Sequence, residues 1–114
     1  MPITNLSNKK IMSEDFVVCS DIFTMAKGLM FSRKQERALV FKFKKERKIS
    51  LHMLFVFYPI DVLFLNKEKT VVGMKENFMP FTFYKSKKEA MFAVELNEGD
   101  IKKTKTMIGD KIRF

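Results

Sequence analysis

The run HMLFVFYPIDVLFL, from His52 to Leu65, constrains this chain more than any other stretch. It is too short to cross a bilayer as a helix, which takes about 20 apolar residues. Pro59 stands in its middle, and proline has no N–H to give to a strand ladder. The run therefore divides into two strands jointed at Tyr58-Pro59. HMLFVF (52–57) is apolar on both faces, and IDVLFL (60–65) resumes after the joint. In the second strand Ile60, Val62 and Phe64 share one face, while Asp61, Leu63 and Leu65 share the other. Asp61 is thus expected to be at least partly buried. A buried carboxylate needs hydrogen-bond donors, and backbone N–H groups near the Pro59 joint or one of the many lysines would supply them. His52, the only histidine, opens the first strand and is expected at its solvent end.

Shorter patterns fill in the rest. DFVVCS (15–20) is β-branched and apolar, a strand. In DIFTMAKGLMFS (21–32), Ile22, Met25, Ala26 and Leu29 recur at helical spacing behind Asp21 as a cap, and Gly28 lies near the helix end. ALVFKFKKE (38–46) alternates Leu39, Phe41 and Phe43 with Val40, Lys42 and Lys44, a half-buried strand with a basic outer face. KERKIS (45–50) then reads as a loop. NKEK (66–69) is a turn whose hairpin partner is TVVGMKE (70–76). FMPFTFYKS (78–86) is a further strand, with Pro80 near its start, and another covers roughly 91–96. Asp100 heads a second helix within GDIKKTKTM (99–107), and IGDKIRF ends in a last short strand. Seven or eight short strands, two short helices and no βαβ rhythm predict an α+β, mainly β fold. It would be a compact curled antiparallel sheet or barrel-like domain. Residues 1–14 read as a flexible N-terminal arm with few apolar anchors, and residues 15–114 as a single domain.

Composition narrows the function classes. Hydrophobic residues make up 46% of the 114 and charged residues 31%, a globular balance, with 13 Phe and nine Met available for a core. Cys19 is the single cysteine, so no intramolecular disulfide forms, and with His52 it offers only two soft metal ligands. The polar N-terminus has no apolar signal-peptide core. These features predict a cytoplasmic protein without a membrane span, as monomer or homodimer. Net charge is +9, and residues 32–48 hold eight basic against two acidic side chains, a local +6. Arg33, Lys34, Arg37, Lys42, Lys44, Lys45, Arg47 and Lys48 would suit a polyanion such as nucleic acid. The alternation turns Phe41 and Phe43 inward, which leaves charge without base stacking. Contact would be with phosphates, independent of sequence. A basic surface that only keeps the protein in solution is the alternative.

The series GLM (28–30), HMLFVFYPIDVLFL (52–65), PF (80–81), VELNEG (94–99) and IGDKI (108–112) resembles the domain-of-unknown-function 192 family of small prokaryotic proteins. The likeness covers roughly residues 15–114, and its most specific part is Met53, Pro59, Ile60 and Asp61. Many members carry Trp-Met-Lys-Asn-Thr where this chain has His52-Met53-Leu54-Phe55-Val56. An activity that used the polar Lys-Asn-Thr groups would be absent here or done differently. The resemblance implies a compact β-rich domain and no particular reaction.

Among candidate chemistries, Asp61 with His52 would make a general acid–base pair if the fold joined them. The competing role for Asp61 is structural, as an acceptor for backbone N–H groups. Cys19 has no base nearby in sequence and reads as an inert buried thiol. Glu95, with Asn97, Glu98 and Asp100, could offer oxygen ligands to a hard cation. The spacing fits no EF-hand, and a helix cap accounts for Asn97 and Asp100. No phosphate loop, nucleophile elbow or metal pair is present, so no cofactor or metal is expected. The leading expectation is a non-enzymatic module that binds a small ligand or a protein near Pro59, Asp61, Met53, Gly28 and Met30. A weak polyanion binder acting through 33–48 comes second, and an enzyme using Asp61 with His52 third.

Overall fold

A computed structural model describes residues 2–19, 38–52, 59–79 and 82–114, with the backbone alone for Cys19, Leu51 and His52. The expected helix over 21–32 and most of the expected strand 52–57 lie outside the described residues. So do Gly28, Met30, Arg33, Lys34, Arg37 and Met53.

Ten strands are described: β1 (Ile3–Asn5), β2 (Lys10–Ser13), β3 (Phe16–Cys19), β4 (Ala38–Arg47), β5 (Ser50–His52), β6 (Ile60–Leu65), β7 (Val71–Phe78), β8 (Phe83–Lys85), β9 (Ala90–Asn97) and β10 (Ile112–Arg113). One helix, α1 (Asp100–Lys103), follows β9. β6 organises the rest. All six of its residues are buried, because it is paired along both edges and packed on both faces. β9 and β7 flank it, each antiparallel. β9 in turn pairs with β4, and β4 pairs in parallel with β3, giving the order β3-β4-β9-β6-β7. A parallel pair needs a long connection, and 18 residues lie between β3 and β4 in the sequence.

The alternation within β6 sorts the core into two halves. Ile60, Val62 and Phe64 join Leu39, Phe41, Ile49 and Phe78 on one face of the sheet. Leu63 and Leu65 join Val40, Phe92, Val94, Leu96 and Ile101 on the other. The two-stranded β5-β8 ribbon belongs with the first half, where the Tyr84 ring lies 5.8 Å from Phe64 and 6.3 Å from Phe78. The three-stranded sheet β10-β1-β2 belongs with the second half, through Ile3, Met12 and Ile112.

Several expectations are corrected here. The described residues are mainly β, but their strands do not form a closed barrel. β3 and β7 are the outer strands of an open sheet, and two smaller sheets stand beside it. The first fourteen residues are not a loose arm. β1 lies between β10 and β2, and Ile3 is fully buried. Few apolar anchors suffice because Asn5 supplies polar ones: its Nδ2 donates to Thr106 Oγ1 and Asp110 Oδ2 at 3.2 and 2.9 Å. β4 is half-buried only in its second part, since Ala38, Leu39, Val40 and Phe41 are buried on both faces. The loop KERKIS shrinks to Lys48 and Ile49. Ile49 is 1% exposed, and its N–H donates to Ser86 Oγ. The C-terminal helix is shorter than 99–107. It ends at Lys103, Lys105 takes a left-handed φ of 53°, and Ile108 is exposed. With α1, one helix rather than two is present among the described residues. No helix there is long and apolar enough to cross a membrane.

Candidate functional site

Asp61 is 1% exposed, and both of its carboxylate oxygens are engaged. Oδ1 accepts the Asn77 N–H at 3.0 Å, and Oδ2 accepts the N–H groups of Gly99 and Ile101 at 3.0 and 3.1 Å. The donors come from β7 and the start of α1, and not from the proline joint or a lysine. Gly99 occupies the N-cap with φ 92° and no side chain of its own to cap with, and no side-chain cap bond comes from its neighbours in the helix. Asp61 meets that need across the fold. A carboxylate at a helix N-terminus is favourable both as acceptor and as negative charge. The geometry is that of a structural carboxylate that fastens β6 to β7 and α1. The side chains of His52 and Cys19 lie outside the described residues.

A second acid is placed very differently. Glu95 sits in β9 with Leu39 of β4 on one side and Val62 of β6 on the other. All three belong to the face of the sheet that carries Ile60, Phe64 and Ala93. Glu95 is 8% exposed, and its Oε2 has no hydrogen-bond partner among the described residues. Loss of water pushes its carboxyl from 4.5 up to about 8. Every other buried polar side chain described is satisfied. Asn5, Thr104 and Thr106 bond within the knot joining β1 to the segment after α1. Ser86 accepts from Ile49 and donates to Lys88, and Asp61 is bonded as above. Native proteins satisfy nearly all such groups, and Glu95 is the exception among the described residues.

At about 8, Glu95 is mostly protonated at neutral pH. It then offers one O–H donor and one carbonyl acceptor side by side. Pro59 stands at the same end of the sheet, one residue before Ile60, which pairs with Asn97. Of the ligand-site residues expected from sequence, Pro59 stands three residues before Val62, the β6 partner of Glu95, and Asp61 pairs beside Leu96 on the other face. Gly28, Met30 and Met53 are outside the described residues. The oxygen cluster around Glu95 does not form: Glu98 is exposed, and no three His, Cys, Asp or Glu gather as metal ligands among the described residues. The sequence does signal Glu95, by the same rule that singled out Asp61: both are acids inside a strand apolar on both faces.

The basic segment keeps its charges outward. Lys42, Lys44, Lys45, Arg47 and Lys48 are exposed, Phe41 is 1% exposed, and Phe43 packs against the core. Arg47 lies over the Phe43 ring at 5.9 Å.

Comparison with known proteins adds the following. The family model described as "Uncharacterized ACR, COG1430", domain of unknown function 192, matches residues 4–114. That span takes in β1 and β2 as well as the residues from 15 onward. Similar relatives are UPF0127 proteins of archaea. The one from Thermococcus sibiricus is 31% identical over 96% of this chain and 72% of its own. The one from Pyrococcus furiosus is 38% identical over 76% of this chain and 75% of its own. Two solved structures share the fold at TM-score 0.85. One is a Sinorhizobium meliloti protein provisionally described as a transcription regulator, 22% identical over 98% of this chain and 89% of that one. The other is a Novosphingobium aromaticivorans protein of unknown function, 20% identical over all of this chain and 84% of that one.

Proposed function

This chain belongs to the domain-of-unknown-function 192 family, and since that family name carries no reaction, we propose from the site itself that the protein is a non-enzymatic binding module that takes a small ligand at Glu95. The observation that supports this is the buried Glu95 Oε2 without a partner. An unsatisfied buried polar atom costs about 1–3 kcal/mol. A leucine there would remove that cost, so keeping the acid is reasonable where a ligand completes its bonding.

The chemistry of the group sets the ligand class. A protonated carboxyl pairs best with a neighbouring acceptor and donor, as in a primary amide, another carboxylic acid or the edge of a nitrogen heterocycle. Leu39, Val62 and Ile60 around it favour an apolar body behind that polar edge. Catalysis fits less well, because the carboxylate of Asp61 is spent on three backbone N–H groups.

Ligand-observed NMR with amide, acid and heterocycle fragments tests this on the whole protein. Wild type is expected to bind a subset of fragments, and Glu95→Leu to lose that subset while remaining folded. Binding of the same fragments by Glu95→Leu with unchanged affinity would refute the proposal.

A further inference from the structure

On the opposite face of the main sheet and at its opposite end lies an open cleft of about 570 Å³. Lys42, Lys44 and Lys45 of β4 line one side. Lys67, from the turn between β6 and β7, lines the other. It belongs to a part of the sequence unconnected with the basic segment. Met91 and Phe92 of β9 complete the lining, and Phe92 is only 6% exposed. The one acid present, Glu46, has a structural duty: its Oε2 accepts the Lys67 N–H at 2.8 Å and ties the turn to the end of β4. Four lysines against one glutamate give the cleft a charge of +3.

We propose that this cleft is a phosphate-binding site, in which Lys42, Lys44, Lys45 and Lys67 together hold a multiply charged phosphoanion. Two chain segments converge on it, which distinguishes it from a lysine-rich stretch that is merely solvated. Lysine heads are flexible point charges, suited to a run of phosphates more than to one planar carboxylate. The aromatic ring in the described lining, Phe92, is 6% exposed and so offers bases no open face to stack on. Recognition is of phosphate and is independent of base identity. This site stands or falls apart from the one at Glu95.

Fluorescence anisotropy of a labelled oligothymidylate with the full chain reads it out, with inorganic tripolyphosphate as competitor. Binding at low salt is expected to fall with a log–log slope of about −3, the release expected from four phosphate contacts to a single strand. Lys67→Glu, and separately the pair Lys42→Glu with Lys44→Glu, should weaken it by about fivefold or more, whereas Lys102→Glu on α1 should leave it within about twofold. Displacement by tripolyphosphate at matched phosphate concentration would identify a small phosphoanion as sufficient. Displacement by nucleic acid alone would identify the polymer backbone as the source. Both results support the site. Equal weakening by Lys102→Glu would overturn it in favour of diffuse net charge, and so would the absence of binding to either probe at low salt.

Discussion

Glu95→Gln keeps the shape of the side chain and removes its titratable proton, so the pair of proteins isolates one ionisation. In the unfolded chain the Glu95 carboxyl loses its proton near 4.5, and in the folded chain only at about 8. Between those values the folded state binds a proton that the unfolded state has released. Stability from this group is therefore fully present below about 4.5 and is lost as pH rises through about 8. Each pH unit in the window lowers the unfolding free energy by about 1.4 kcal/mol. From about pH 5 to about pH 7.5 the loss is on the order of 3 kcal/mol, or roughly 12 °C in Tm for a chain of this size. Urea unfolding of both proteins over that range measures it. Exposed groups and His52 act alike in the two, so the difference curve belongs to Glu95. Parallel curves would show that the carboxyl is solvated, and the case for a ligand there would fall with it.

Asp61→Ala should cost about 3 kcal/mol or more in denaturant unfolding, since it strands three backbone N–H groups at once. Hydrogen exchange at the Gly99 and Ile101 amides should speed up more than elsewhere in the same variant, and unchanged exchange would contradict the capping role. Ile3→Ala should cost about 2–5 kcal/mol, the range for a fully buried isoleucine. A change within about 0.5 kcal/mol would mean that the first residues are the loose arm their sequence suggests.

The parts that could be read from sequence are those where the side-chain pattern decides structure directly. The β6 alternation, the β6–β7 hairpin and the burial of Asp61 all follow from local periodicity and turn chemistry. Three things do not. β1 was invisible because its stability comes from Asn5 bonding to Thr106 and Asp110, over a hundred residues away. The donors to Asp61 escape a local reading for the same reason, since Asn77 of β7 and Gly99 and Ile101 at the start of α1 reach it only in the folded chain. Lys67 joined the basic segment only once the sheet order put the β6–β7 turn beside the end of β4. The sequence offers Glu95 only as a cation ligand and not as an orphan, because a missing partner is a property of three dimensions.

The position of β1 between β2 and β10 has a consequence for how this protein is made. Its partner β2 emerges from the ribosome moments later, but β10 comes only with Ile112 and Arg113. At the usual 5–20 residues per second the interval is on the order of 10 s. For that time one edge of β1 has nothing to pair with, and the Ile3 side chain has no finished core to enter. Folding cannot run simply from the first residue to the last. The first strand has to wait, and the last two residues of the ladder lock it in place.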